Sequence, residues 1–187
     1  MSILSKKLWY LWTHTAYAMS FGKIGKRSLI YKPVQIDGRK SIFIENDVYV
    51  AQNAWLMGSG AKEENLRICE GTTIGHYSHI VAMSSVTIGK EVLIADKVFI
   101  SDCTHSYEDI NTPVKKQDVK VLKPVTIGDG SWLGENVCIC DASVGKHCII
   151  GANSVVTTDI PDYCVAAGSP ARVVKKFDFD TNTWIKI

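Results

Sequence analysis

The sequence predicts an all-β chain, a parallel β-helix wound in six-residue steps, and two observations predict it. Aliphatic residues return every six positions: Ile68, Ile74, Ile80; Ile88, Ile94, Ile100; Ile127, Leu133, Ile139. The fourth position after each start is small or β-branched, as at Thr72, Ser78, Val92, Val98, Thr104, Ser131, Val137, Cys148 and Ser154, with Lys40 the exception. Six is neither 3.6 nor 3.5, so the period is not helical. Three short strands separated by bends close a triangular coil, and stacked coils lie about 4.8 Å apart. The recurring Gly25, Gly75, Gly89, Gly128, Gly134, Gly145 and Gly151, or an asparagine near the bend, are expected to permit the backbone angles of the corners. Each coil then leans only on its neighbours, and the core is continuous along one axis. The period does not state the hand; right-handed crossovers are the general expectation.

Residues 1–21 carry Leu4, Leu8, Leu11, Trp12, Ala16 and Met19 at helical spacing, with Trp9 beside them. The expected role is a helical cap over the open end of the coil, with contact to a membrane surface as the other reading. Residues 22–176 form the repeat domain. The step slips by two before Ile44, runs irregularly after Val50, and breaks at 102–124, where a loop is expected to leave the coil. "ICDASVGKHC" is one residue short, so a bulge or tightened corner is expected near Asp141–Val144. Residues 177–187 read as a C-terminal tail.

The chain has 187 residues, 46% apolar and 21% charged, with a formal net charge of +2. That charge is too small to argue for a nucleic-acid or membrane-wrapping surface. The six cysteines are scattered with no C-x-x-C pair, which reads as small core residues of a cytoplasmic protein. No apolar run reaches the roughly 18 residues of a membrane span, so membrane contact is at most peripheral. The start lacks the features of a cleaved signal.

The segments "IGDGSWLGENV", "IGANSVVTTDIP", "VAAGSPARVV" and "THSYED" together resemble the hexapeptide-repeat acyltransferases, in particular the galactoside, maltose and lipopolysaccharide O-acetyltransferase group. The resemblance covers about residues 24–176. It implies a left-handed β-helix, a homotrimer with sites between subunits, acetyl-CoA as co-substrate, no metal, and a sugar or glycan-precursor acceptor. It also implies that the loop carries a catalytic histidine, which matches His105. A sugar hydroxyl is a weak nucleophile at neutral pH, and a histidine of ordinary pKa near 6.5 can take its proton, contributing about 10²–10⁴-fold. Asp102, Tyr107 and Glu108 surround His105, and each could orient the ring, bind acceptor hydroxyls or belong to a solvated loop.

For the donor, the resemblance implies Trp132 along the CoA arm, backbone amides of the Gly134–Glu135 turn near the thioester, and Ala152 beside the pantetheine. It implies Arg172 and Lys175 toward the adenosine phosphates. Glu135 departs from the small residue of the pattern. Thr157 and Thr158 stand where the pattern has Thr-Lys. Four other readings compete: a covalent route through Cys103, a γ-carbonic-anhydrase-like metal enzyme using His76, His79, His105 and His147, an N-acetyltransferase acting on an amino sugar, and a non-catalytic scaffold or sugar-binding solenoid.

Overall fold

The structure, a computed structural model, describes residues 3–60 and 63–187. The six-residue steps close into a solenoid of about 7 turns. Each coil lends one short strand to each of three parallel faces. The first face stacks Lys23–Ile24, Ile42–Ile44, Leu66–Ile68, Val86–Ile88 and Val125–Ile127. The second stacks Leu29–Ile30, Tyr49–Val50, Thr73–Ile74, Leu93–Ile94, Trp132–Leu133, Ile149–Ile150 and Cys164–Gly168. The third stacks Gln35–Asp37, Trp55–Gly58, His79–Ala82, Phe99–Ser101, Cys138–Cys140 and Val155–Val156.

The register is in step from coil to coil. Ile44, Ile68, Ile88 and Ile127 form one inward column, Ile30, Val50, Ile74, Ile94, Leu133 and Ile150 a second, and Leu56, Ile80, Ile100 and Ile139 a third. All are buried. Removing such a side chain from water stabilises by roughly 1.5–3 kcal/mol each, which is why one aliphatic residue is demanded at every step.

The small position has a second use. The buried Thr72 hydroxyl donates to the Gly89 carbonyl (2.7 Å) and accepts from the Val92 amide (3.1 Å). Ser131 likewise donates to the Gly145 carbonyl and accepts from the Cys148 amide. These hydroxyls tie each corner to the next coil.

The glycines act otherwise than expected. The left-handed residues at several corners come two places after the glycine: Arg27, Tyr77, Glu91, Asn136, His147 and Asn153. The glycine itself is needed for close approach. A Cβ on Gly75 would lie 2.4 Å from the Ala95 carbonyl group, and one on Gly134 2.7 Å from the Ala152 nitrogen. The short coil tightens at Asp141, also left-handed, and its contribution to the first face shrinks to a single residue, Val144, bridged to Ile127 and to Ile160.

Of the segment 1–21, residues 1 and 2 lie outside the described residues. The helix Ile3–Trp12 and a π-helical turn Thr13–Tyr17 follow. They cover the solenoid's first coil, but not with the leucines. Trp9, Thr13, Tyr17 and Phe21 pack inward, whereas Leu4, Leu8, Leu11, Trp12 and Met19 face solvent. Thr13 decides the docking. Its Oγ1 donates to the Trp9 carbonyl (2.8 Å) and accepts from the Ile30 amide (3.2 Å), which lies on an edge strand with no further strand beside it. The expected tail is also more ordered than a tail. The strand Ala171–Asp178 crosses the boundary at 176 and pairs antiparallel with Cys164–Gly168 and Thr183–Lys186, extending the second face. Tyr163, Phe177, Phe179 and Trp184 pack edge to face there. Among the described residues no helix is long and apolar enough to cross a membrane.

Candidate active site

After Phe99–Ser101 on the third face the chain leaves the coil, and it rejoins at Val125–Ile127 on the first. Between them the strand Cys103–His105 pairs antiparallel with Val119–Val121, so the excursion is a β-ribbon standing on a corner. His105 ends the outgoing strand opposite Val119 and is exposed.

Asp102 roots the ribbon. It is fully buried, and its carboxylate accepts from the amides of Met83 (2.8 Å), Ser84 (2.7 Å) and Ser85 (2.7 Å) in the coil below. Its carbonyl accepts from the amide of Leu122, just past the returning strand (2.7 Å). The Asp102 carboxylate is thus taken up by three backbone N–H groups at the buried root of the ribbon, and no hydrogen bond joins it to the His105 ring. Buried Ser101 braces the same exit, its hydroxyl donating to the Cys103 carbonyl and accepting from the Cys103 amide. Glu108 is likewise engaged. It pairs with Lys120 across the ribbon (2.7 Å), and that ammonium holds its carboxyl down to about 2. Tyr107 is exposed, and neither Tyr107 nor Glu108 lines the cavity below. Among the described residues no side chain hydrogen-bonds the His105 ring.

Beneath the ribbon, on the outer wall of the third face, lies a cavity of about 380 Å³. His105 and Val119 overhang it, and Met57, Val81, Phe99 and Cys140 form its floor. The register explains the apolar floor. Trp55, His79, Phe99 and Cys138 form one outward column, and Met57, Val81, Ser101 and Cys140 the next. The His79 ring stacks on Trp55 at 4.1 Å and meets Phe99 at 5.4 Å. Its Nε2 is buried with no partner among the described residues, and burial pushes its pKa below the ordinary value. These wall residues were missed from sequence. The signal was present: lined up by coil, most outward positions of this face from Trp55 to Cys140 are aromatic or sulfur-bearing, with Val81 and Ser101 between them, where a solvated wall would be polar.

The donor-side residues fall elsewhere. Trp132 is exposed on the second face, in one outward column with Ile149, Val165 and Lys175. Arg172, on the same terminal strand, donates Nη1 to the Ala171 carbonyl. Gly134, Glu135 and Ala152 occupy the corner between the second and third faces. The Gly134 amide is already given to the Ile150 carbonyl (2.8 Å), so it is not available to an oxyanion. The amides of Glu135 and Ala152 meet no acceptor among the described residues. The Glu135 carboxylate takes Lys97 (2.8 Å). Thr157 and Thr158 follow Val155–Val156 on the third face, away from Trp132. One chain thus sets His105 and Trp132 on different faces.

The histidines of the metal reading do not converge within the chain. His76 pairs with Asp96, His79 stacks on Trp55 and His147 stacks on Tyr163. Among the described residues no three potential ligands cluster. Cys103 sits against the Ser101 hydroxyl (3.4 Å), and burial pushes the thiols of Cys69, Cys138, Cys140, Cys148 and Cys164 up.

Comparison with known proteins agrees with this geometry. Residues 124–158 match the bacterial transferase hexapeptide (six repeats) model. A galactoside O-acetyltransferase of Escherichia coli is 30% identical over 185 residues, which cover 94% of this chain and 90% of that protein. The chain belongs to the hexapeptide-repeat acetyltransferase family. Among other hexapeptide acetyltransferases, the putative lipopolysaccharide biosynthesis O-acetyl transferase WbbJ of Escherichia coli is 39% identical over 124 residues, 63% of each chain. A probable acetyltransferase of Mycobacterium tuberculosis, Rv3034c, is 37% identical over 116 residues, 62% of this chain and 38% of that one. The matches thus span less than two thirds of these two relatives. The fold is shared with AntD, an N-acyltransferase from Bacillus cereus (TM-score 0.74, 19% identity, 90% of this chain and 91% of that one). It is also shared with VCA0836 from Vibrio cholerae, solved with acetyl coenzyme A (TM-score 0.63, 22% identity, 94% and 86%).

Two predictions follow from the site. Asp102→Ala leaves buried amides without acceptors and should lower folding stability by about 2–4 kcal/mol in denaturant titration. An unchanged midpoint would mean the ribbon is rooted otherwise. His79 has a folded pKa below its unfolded one, so the unfolded chain binds the proton more readily. Stability is therefore full above about pH 6.5 and falls as pH drops through that value. His79→Gln should flatten this fall in thermal denaturation; a slope identical to wild type would contradict the burial of the ring.

Proposed function

We propose that the chain transfers an acetyl group from acetyl-CoA to a hydroxyl of a sugar or polysaccharide precursor, with His105 as general base. The observation that carries this reading is His105 itself. Its exposed imidazole overhangs a cavity able to seat the reacting groups, at the end of a ribbon rooted in the core, in a chain of this family.

A neutral imidazole nitrogen accepts the hydroxyl proton as the oxygen attacks the thioester carbon. The carbonyl π electrons move onto oxygen and a tetrahedral intermediate forms. It collapses by breaking the C–S bond, and the imidazolium returns its proton to the departing thiolate. The chain's contribution is position: hydroxyl and thioester held in line within a water-poor pocket. The open amides of Glu135 and Ala152, at the corner beside the third face, suit the amide carbonyls of a pantetheine arm.

The division of the residues between two faces supports a homotrimer. Trp132 and Lys175 lie in one column of the second face, with Arg172 on the same strand as Lys175; His105 hangs over the third. A neighbouring subunit that turned its second face toward this third face would unite the donor's aromatic and cationic contacts with the base. Arg172 and Lys175 would meet the donor phosphates as charges, and only the guanidinium could do so with two parallel hydrogen bonds.

The direct test is acetyl-CoA turnover with a panel of sugar acceptors. His105→Ala should lower turnover by about 10²–10⁴-fold while leaving oligomeric state and CoA affinity intact. Turnover within about threefold of wild type would remove His105 from the chemistry.

A further inference from the structure

We propose that the N-terminal end of the solenoid is a docking face for an anionic lipid bilayer. Three observations carry this. The first is the helix Ile3–Trp12, whose solenoid side is taken by Trp9 and Thr13. At 100° per residue, Leu4, Leu8, Leu11 and Trp12 fall together on the opposite side, and each is 52–68% exposed. A cap needs only its inner face to be apolar, so the outer stripe is not explained by capping.

The second observation is charge. The first acidic residue of the chain is Asp37, and Lys6, Lys7, Lys23, Lys26, Arg27 and Lys32 precede it. The whole chain carries only +2, so its positive charge is gathered at this end. Arg27 is paired with Asp47, but among the described residues Lys7, Lys23 and Lys26 enter no ion pair and are exposed. Lys7 flanks the leucine stripe.

The third is the pair of apolar clefts along the helix. One, of about 500 Å³, runs between Leu8, Trp9, Trp12 and Tyr17; the other lies between Lys6, Lys7, Tyr10, Leu11 and Leu29. Apolar clefts lined by aromatic rings with polar tips, the second of them rimmed by Lys6 and Lys7, suit acyl chains below and phosphate headgroups above.

A second copy of the chain is the other occupant to consider, and charge argues against it. A two-fold contact through this face would bring two basic ends together. A bilayer with anionic headgroups satisfies the stripe and the lysines at once. With one short helix the binding is reversible and salt-sensitive.

The test is co-sedimentation of the full chain with vesicles of phosphatidylcholine alone and of phosphatidylcholine with about one-third phosphatidylglycerol. The chain should sediment with the anionic vesicles only, and less so as salt rises from about 0.05 M to about 0.5 M. Leu8→Gln/Leu11→Gln and, separately, Lys7→Glu/Lys23→Glu should each weaken vesicle affinity about tenfold or more, with circular dichroism and size in solution unchanged. If the leucine variant does not fold, the lysine variant decides alone. No sedimentation with anionic vesicles, or sedimentation that the folded variants leave intact, would overturn the proposal. So would a wild type that ignores vesicles while the leucine variant changes size in solution, since a second copy would then be the occupant.

Discussion

In-register stacking of one coil on the next is the constraint from which the rest of the structure follows. Each inward aliphatic residue sits between its counterparts above and below, and each buried corner hydroxyl that bonds backbone on a neighbouring coil, as Thr72 and Ser131 do, leaves little room for slippage. A coil cannot absorb extra residues without breaking three columns at once. Surplus chain has to leave at a corner. The segment from Asp102 to Pro124 does so, and the shortened coil at Asp141–Val144 shows the opposite case: lacking a residue, it gives up its strand and keeps one bridging residue, Val144.

Leaving the coil is costly, because the exit exposes turn amides on the level below. Asp102 meets that cost by accepting three of them, and it fixes both strands of the ribbon by receiving Leu122 as well. The ribbon can then carry an exposed imidazole in a defined place with no side chain among the described residues hydrogen-bonded to its ring. The rigid wall leaves its outward positions free to vary, and under the ribbon on the third face they are mostly apolar. This builds a cavity from residues that contribute nothing to the inward columns.

The repeat was legible because inward positions obey a strict rule of size and spacing. The break at residue 102 was legible for the same reason. What failed was the assignment of outward or dual-purpose residues. The helical spacing of Leu4, Leu8 and Leu11 shows that they share a face, but not which face meets the solenoid; the Thr13 hydroxyl on the Ile30 edge settled that. Asp102, three residues before the histidine, reads equally as an orienting carboxylate, an acceptor contact or a solvated loop residue, because its partners lie some twenty residues back and become adjacent only through stacking. The glycines invited an explanation by backbone freedom, yet the coil above is what excludes a side chain. The terminal strand was missed because its pairing is antiparallel and ignores the six-residue step.

A single chain holds the base and the donor-side aromatic on different faces, so the proposed chemistry depends on a neighbour. Mixed oligomers test this directly: His105→Ala chains assembled with Trp132→Ala/Lys175→Glu chains, assayed for acetyl-CoA turnover. If sites form between subunits, about a quarter of them regain both intact halves in an even random mixture, and activity rises well above that of either parent. A mixture no more active than the mean of its parents, or a Trp132→Ala/Lys175→Glu parent as active as wild type, would contradict a site shared across the boundary.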